Sequence, residues 1–586
     1  MKVVSSVLAL SLVLPALPAS SQERVDLDAV TRIRQEGFRH SKVMETASRL
    51  MDSIGPRLTG SPNMKKANEW TRQQLADWGL ANAHLESWGP FGRGWSYEEC
   101  RVRMLSPDTA ELLALPVAWT PGTNGPVRAA AVKVKLATED DLKREKGTLA
   151  GKIVLVGETR EVRPQEKALS ERYDDKGLGE LGLYQIPGAT PGPRAGQPFN
   201  REEFLKRRQF QRSLDKFLAE EKVAAVLEPG ALDGGTFRVQ GANNGYRKDA
   251  PPAVPRVVMA IEHYGRLARI LERKESVQLE VDIRTRFYED DPLSYNTVAE
   301  IPGTDKNRQI VMLGGHMDSW HGGTGATDNG AGVAVAMEAM RILKALNIHP
   351  RRTIRIALWS GEEQGLLGSR AYVSQHFASR PEPKTPPAET DLPSFLRPPT
   401  GPVTVKPEHA KLSAYFNLDN GTGKVRGVYT QENVAAAPIF ERWIEPLRDL
   451  GVTTVSNRNT GGTDHLSFDS VGLPGFQFIQ DEVEYETRTH HTNVDVYERL
   501  QREDLMQASV VMACFVYHAA MRDGMMPRKP MPKDEPRREE GSPADKGPLA
   551  ARTTPTESAP QTPARPADNP PPPPPGKPAP TPAVPR

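Results

Sequence analysis

Cysteine is nearly absent from this chain, with only Cys100 and Cys514 among 586 residues. Their separation excludes a zinc knuckle or a paired redox motif, so cysteine chemistry does not explain the protein. In an exported protein the two could form one disulfide, but Cys514 lies in the apolar run ASVVMACFVYHAA, which suits a buried, inert thiol. Charge of one sign is lacking as well. Lys+Arg number 76 against 74 for Asp+Glu, a formal net charge of +2, which argues against a dedicated nucleic-acid surface or a polybasic membrane-binding protein. The N-terminal apolar run, Val3 to Leu17, falls short of the roughly 20 residues that cross a bilayer. It follows a lysine and ends in small residues, the pattern of a secretory signal cleaved after Ser21. No cysteine follows it to take a lipid, so the expectation is export to the periplasm or the medium without a stable membrane anchor.

What is present is length enough for two or three domains. After a signal over 1–21, residues 22–97 read as the first part of a catalytic domain, with helical periodicity in SKVMETASRLMDSI and ANEWTRQQLADWGL separated by the loop GPRLTGSP. Residues 98–287 change character to short β-type runs such as KIVLVG and AAVLEP, read as an inserted β-rich domain. Within it, 160–221 is charged and turn-rich, with a helix expected in REEFLKRRQFQRSLDKFLAEEK; it reads as a solvated loop and exposed helix, or more sharply as a lid. From 288 to 523 strands and helices alternate as in an α/β domain. Strands are expected at NTVAEIPG, RQIVMLGG, RTIRIALWS, LSAYFNLD and LPGFQFIQ, with an excursion over 380–407. Residues 524–586 are too rich in Pro and Ala to build a core, and read as a disordered or locally polyproline-like tail, a spacer or a docking segment.

In open α/β sheets ligands collect at the carboxyl ends of strands. Here RQIVMLGG runs into His316 in the stretch GGHMDSWHGGTGATDNGAG, which also holds Asp318 and Asp328. The strand RTIRIALWS ends near Glu362 and Glu363, LSAYFNL ends at Asp419, and LPGFQFIQ precedes a loop with His490, His491 and Asp495. Taken singly, such residues are commonly helix caps, turns or surface features. The glycines around Asp328 do not make a phosphate loop, because no Gly-Lys-Ser/Thr follows. It is their joint order that points to a metal-dependent enzyme.

The blocks GGHMDSW, ATDNGAG, WSGEEQGLLGS, FNLDNGTG, GGTDHLSF and RTHHTNVD resemble, in order and spacing, the co-catalytic di-zinc aminopeptidases and their relatives, the glutamate carboxypeptidases and plasma-type dipeptidases. The resemblance spans roughly Val25 to Met521. It implies a mixed, mostly parallel α/β sheet flanked by helices, the zinc-exopeptidase or phosphorylase/hydrolase-like fold, with the insertion similar to a protease-associated domain.

The resemblance also implies roles. His316 and Asp419 would hold one of two Zn²⁺ ions, Glu363 and His491 the other, and Asp328 would bridge both. Glu362 would be the general base, taking a proton from a water shared by the metals and returning it to the leaving amine. Asp318 would orient His316 and so assist catalysis, and Asp495 would do the same for His491. His490 reads as structural, while His321, His465 and Tyr485 are placed near the substrate. The peptide bond after Asp328 is expected to be cis. The function implied is a secreted exopeptidase acting on peptides or proteins, an aminopeptidase first and a carboxypeptidase or dipeptidase second, with Arg488 as a carboxylate clamp in the second case. A non-catalytic binding protein on the same fold is the remaining alternative, which the presence of all five ligands and the base opposes.

Overall fold

A computed structural model describes residues 23–183, 201–242, 244–381 and 401–532. The expected signal segment and the chain beyond Pro532 lie outside the described residues. Helices Leu27–Arg39, Val43–Ser48 and Pro62–Asp77 lead into strand β1 (Ala81–Trp88). The helix Pro62–Asp77 starts where Ser61 accepts the amide of Met64 and a proline takes the first helical position, where no amide donor is needed.

The next strands are β2 (Gly94–Ser106), β3 (Ala110–Leu112), β4 (Ala114–Pro116), β5 (Val127–Val134), β6 (Ile153–Val156), β7 (Ala225–Pro229), β8 (Arg256–Met259) and β9 (Gln278–Tyr288). They form a sheet of their own in the order β3-β2-β9-β5-β6-β7-β8-β4. The chain then returns with β10 (Ser294–Ile301), which pairs antiparallel with β1 from Leu85↔Thr297 to Trp88↔Ser294. The intervening segment therefore leaves and re-enters at one edge of the other sheet. Its helix Arg201–Glu220 is not simply exposed: Leu214 and Leu218 are buried with Phe210 and Phe217 against them, and buried Asp215 lies 2.5 Å from Arg256.

The remaining strands are β11 (Ile310–His316), β12 (Thr353–Trp359), a short ribbon of β13 (Ala378–Ser379) and β14 (Thr404–Val405), then β15 (Leu412–Asn417), β16 (Val425–Tyr429), β17 (Thr454–Ser456) and β18 (Gly475–Gln480). The first sheet runs β1-β10-β12-β11-β15-β18-β16-β17. Its centre, β12-β11-β15-β18, is parallel, with antiparallel partners at β10 and β16. A parallel centre is covered on both faces, which is why IVMLGG and LSAYFN are apolar without alternation and wholly buried. Helices Ala331–Ala345 and Arg502–Met521 pack against each other and against β11. The second of these has the length and hydropathy of a membrane span, yet almost all of it is buried in the core.

Both cysteines are free thiols, Cys514 buried in that helix and Cys100 half-buried in β2. The first residues of the expected tail also pack on the domain. Met526 is buried with its amide on Ser413 Oγ, and Arg528 donates to the carbonyls of His409 and Leu412. An apolar side chain and a guanidinium serving two backbone acceptors hold this stretch in place despite its prolines.

Candidate metal centre

Four adjacent parallel strands deliver the site. His316 ends β11, Glu362 and Glu363 follow β12, Asp419 follows β15, and the loop after β18 carries His490 and His491. Asp328 comes from the turn before helix Ala331–Ala345, and its bond to Asn329 is cis, as expected.

The side chains converge around Asp328. Its Oδ1 lies 3.4 Å from His316 Nε2, which is 3.3 Å from Asp419 Oδ1. Its Oδ2 lies 3.1 Å from His491 Nε2, which is 3.1 Å from Glu363 Oε2. One carboxylate thus faces two separate nitrogen–oxygen sets, one through each oxygen. His490 is close as well, with Nε2 3.7 Å from Asp328 Oδ2 and its ring stacked on Tyr485 at 4.7 Å.

These groups fit divalent cations. Asp328 Oδ2, Glu363 Oε1 and Asp419 Oδ1 are buried and accept no hydrogen bond, although imidazoles stand near them. Buried carboxylate oxygens without donors are costly unless a cation takes their lone pairs. Mixed imidazole and carboxylate donors suit zinc among the transition metals, without excluding manganese or cobalt. In the protein alone, burial pushes Glu362 well above the usual carboxylate range and raises Glu363. Burial disfavours the charged imidazole of His491, but Glu363 and Asp328 outweigh it and lift its pKa to about 10. On His491 a proton therefore occupies a position that a cation would contest.

Two expected contacts take a different form. His316 Nδ1 pairs with the backbone carbonyl of Asp318 at 3.0 Å, while the Asp318 carboxylate stands 3.7 Å away. That carboxylate instead accepts the amides of Glu362 (3.2 Å) and Glu363 (3.3 Å) and the hydroxyl of Thr59 (2.9 Å). It orients the two glutamates rather than the imidazole, because the tight turn after His316 puts the carbonyl nearer to the ring. Likewise Asp495 does not reach His491. It accepts the amide and hydroxyl of Thr327 (2.7 and 2.8 Å) and the amide of Asp328 (3.1 Å), fixing the backbone at Asp328. His491 Nδ1 meets Gln240 instead, at 3.0 Å.

A cavity of about 240 Å³ opens onto these groups, lined by His316, Asp328, Glu362, Glu363, Asp419 and His491 with Leu366, Leu466, Asn420 and Tyr485 among its walls. Tyr485 is thus at the cavity as expected, whereas His465 and His321 are not. His465 opens the helix His465–Asp469 and turns its Nε2 to Gln431 (2.8 Å) and the Thr460 carbonyl (3.1 Å); His321 is buried with Nε2 on the Pro116 carbonyl. Arg488 pairs with Glu484 and also stays off the cavity. Among the described residues of 160–221, none lines the cavity. Arg172 reaches Asp481 and Asp504, and Glu171 bridges to Val483, so this stretch straps the catalytic domain rather than lying free.

Sequence reasoning missed Arg57. It is fully buried and donates to the carbonyls of Met317 (2.7 Å), Thr324 (2.7 Å), Gly325 (2.8 Å) and Gly55 (3.2 Å). It clasps both ends of the loop between His316 and Asp328. Gly325, at φ +63°, lets that loop close; a Cβ there would stand 2.3 Å from Ser319 Cβ. The available signal was GPRLTGSP itself, an arginine and a threonine set among turn-forming residues.

A mixed sheet with a parallel centre, carrying histidines and carboxylates at four neighbouring strand ends around one shared aspartate, defines a metal-dependent hydrolase. Residues 296–516 match the model of Peptidase family M28, and the chain is a metallopeptidase. It is 26% identical over 503 residues to mouse Carboxypeptidase Q, covering 85% of this chain and 90% of the relative. It is 29% identical over 228 residues to Aminopeptidase YwaD of Bacillus subtilis, covering 38% of this chain and 44% of that one. The fold is that of a Peptidase M28 precursor from Shewanella amazonensis, with a TM-score of 0.58 and 23% identity over 86% of this chain and 98% of the other.

Proposed function

We propose that the protein is an exported, two-zinc exopeptidase that acts as an aminopeptidase. The observation that carries it is the division of Asp328, one oxygen toward His316 and Asp419, the other toward His491 and Glu363. His316 and Asp419 would hold one cation and His491 and Glu363 the other, with Asp328 serving both, and the bound metal would supply Lewis-acid activation of the carbonyl and of the attacking water. Glu362 lines the cavity without a position in either set. Its carboxylate takes the water proton and returns it to the departing amine. Asp318 holds the backbones of Glu362 and Glu363, so the base and its neighbouring ligand keep a fixed relation. Asp495 does the same for Asp328.

The choice of chain end rests on the lining. Among the described residues, no Lys or Arg faces the cavity, whose ionisable groups are carboxylates, imidazoles and the Tyr485 phenol. Such a lining accepts a terminal ammonium and offers no guanidinium fork for a terminal carboxylate. A second reading, carboxypeptidase or dipeptidase, is favoured by the likeness to mouse Carboxypeptidase Q along most of both chains. Export rests on the N-terminal apolar run, and the separate sheet β2–β9 on the catalytic edge supports a protease-associated role for the insertion.

Hydrolysis of one peptide in free, N-acetylated and C-amidated forms tests this. Loss of cleavage on acetylation alone is the expected result. Loss on amidation alone overturns the aminopeptidase reading in favour of the second. Metal analysis of the same preparation should give two zinc ions per chain.

A further inference from the structure

The inserted segment touches the candidate metal centre along one short stretch. Val239 donates its amide to the His491 carbonyl at 3.1 Å, and Arg238 faces Thr492 across an antiparallel bridge. Phe237 and Asn493 exchange two hydrogen bonds, 2.9 Å from the Phe237 amide to Asn493 Oδ1 and 3.1 Å from the Asn493 amide to the Phe237 carbonyl. The Arg238 guanidinium caps the Glu486 carbonyl at 3.1 Å. On the other side, the Ala118 amide donates to the Gln240 carbonyl at 3.1 Å, tying the stretch to the inserted segment. His491 stands in this ladder at φ +62°, a conformation that a side-chain-bearing residue keeps only when its surroundings impose it.

From this stretch the Gln240 side chain reaches the His491 ring, with its Nε2 3.0 Å from Nδ1. We propose that Gln240 is a positioning residue for the metal centre: the inserted segment supplies the group that fixes the ring of His491 and keeps its Nε2 turned to Asp328 and Glu363. This rests on the two-cation reading above.

An imidazole that gives its Nε2 lone pair to a cation carries its proton on Nδ1, and that proton needs an acceptor. The Gln240 amide offers its oxygen by turning over, which exchanges Oε1 and Nε2 while leaving the rest of the side chain in place. The carboxylate that the sequence nominated for this task, Asp495, is committed to Thr327 and Asp328. His316 solves the same problem locally with the Asp318 carbonyl, so the two histidines are held by different parts of the chain.

The test uses the full-length protein and its Gln240→Leu and Gln240→Glu variants, titrated with Zn²⁺ and Co²⁺ against a chelator, with thermal unfolding of each metal-free form. Gln240 is exposed, and only its backbone joins the ladder, so the metal-free unfolding temperatures should agree. Gln240→Leu should raise the dissociation constant of one of two cations about 10-fold and leave the other unchanged. Gln240→Glu, which keeps an acceptor, should restore the wild-type value. A wild-type stoichiometry of two with unchanged constants in Gln240→Leu overturns the assignment, as does a matching fall in metal-free stability. A wild-type protein that takes up fewer than two cations overturns the two-cation reading itself, and this inference with it.

Discussion

Thr59 donates its hydroxyl to Asp318 Oδ2 at 2.9 Å, between two side chains with no solvent exposure. It is the third donor on a carboxylate that also receives the amides of Glu362 and Glu363, so a loop from the first hundred residues braces the turn that carries both glutamates. Thr59→Val keeps the shape and removes the donor. It should cost about 1 kcal/mol of stability and lower kcat several-fold with KM nearly unchanged. A higher KM at full kcat would instead put Thr59 in contact with substrate.

Glu362→Gln separates proton transfer from metal binding. The amide keeps the volume at the cavity wall, and neither ligand set includes Glu362. The variant should retain both metals and lose about 10²–10⁴ of turnover. Metal analysis beside single-turnover rates checks both halves, and wild-type turnover would remove Glu362 from the base role.

Asp328→Asn tests the proposed sharing of this carboxylate between two cations. Because one oxygen faces His316 and Asp419 while the other faces His491 and Glu363, the substitution should weaken both cations together. Dialysis against graded chelator with metal counting reads this directly; loss of one cation with full retention of the second would contradict sharing.

Arg57→Met removes a buried guanidinium that satisfies four carbonyls. Burial lowers its pKa to about 10, still high enough to stay charged at neutral pH. Stranding these carbonyls should destabilise the protein by about 3–5 kcal/mol, measured by urea unfolding of the metal-free form. Arg57→Lys, a single ammonium without the planar fork, should recover only part of it. Equal stability of Arg57→Met and wild type would show that the loop closes without the clasp.

How much of this was legible depended on distance along the chain. Buried parallel strands announce themselves as apolar runs, so the order from RQIVMLGG to LPGFQFIQ and the placing of His316, Glu363, Asp419 and His491 at strand ends could be read directly. The supporting contacts could not. Asp318 sits two residues from His316, and spacing alone suggested a side-chain bond to the ring; the turn brings the backbone carbonyl there instead. Arg57 and Gln240 act on residues more than two hundred positions away, through backbone paths that no local period encodes. The helix Arg201–Glu220 misled for another reason, since its many charges conceal a narrow stripe of Phe210, Leu214, Phe217 and Leu218 that packs inward.

His321 makes a pH prediction away from the metal ligands. Its Nε2 donates to the Pro116 carbonyl at 2.7 Å, its Nδ1 is buried without a partner, and Trp95 and Tyr97 stand edge-on to the ring. Burial lowers its pKa from 6.5 to about 4. Above 6.5 the ring is neutral whether the chain is folded or not, and its contribution is complete. As pH falls from 6.5 toward 4, the unfolded chain takes up a proton that the folded one refuses, so stability declines by about 1.4 kcal/mol per pH unit. Between pH 7 and pH 5 this amounts to about 2 kcal/mol from His321. His321→Phe forfeits the Pro116 bond at every pH, so the comparison lies in the slope. Urea unfolding of the metal-free proteins at both pH values should show the variant losing about 2 kcal/mol less than wild type; equal losses would mean that His321 titrates normally in the folded state.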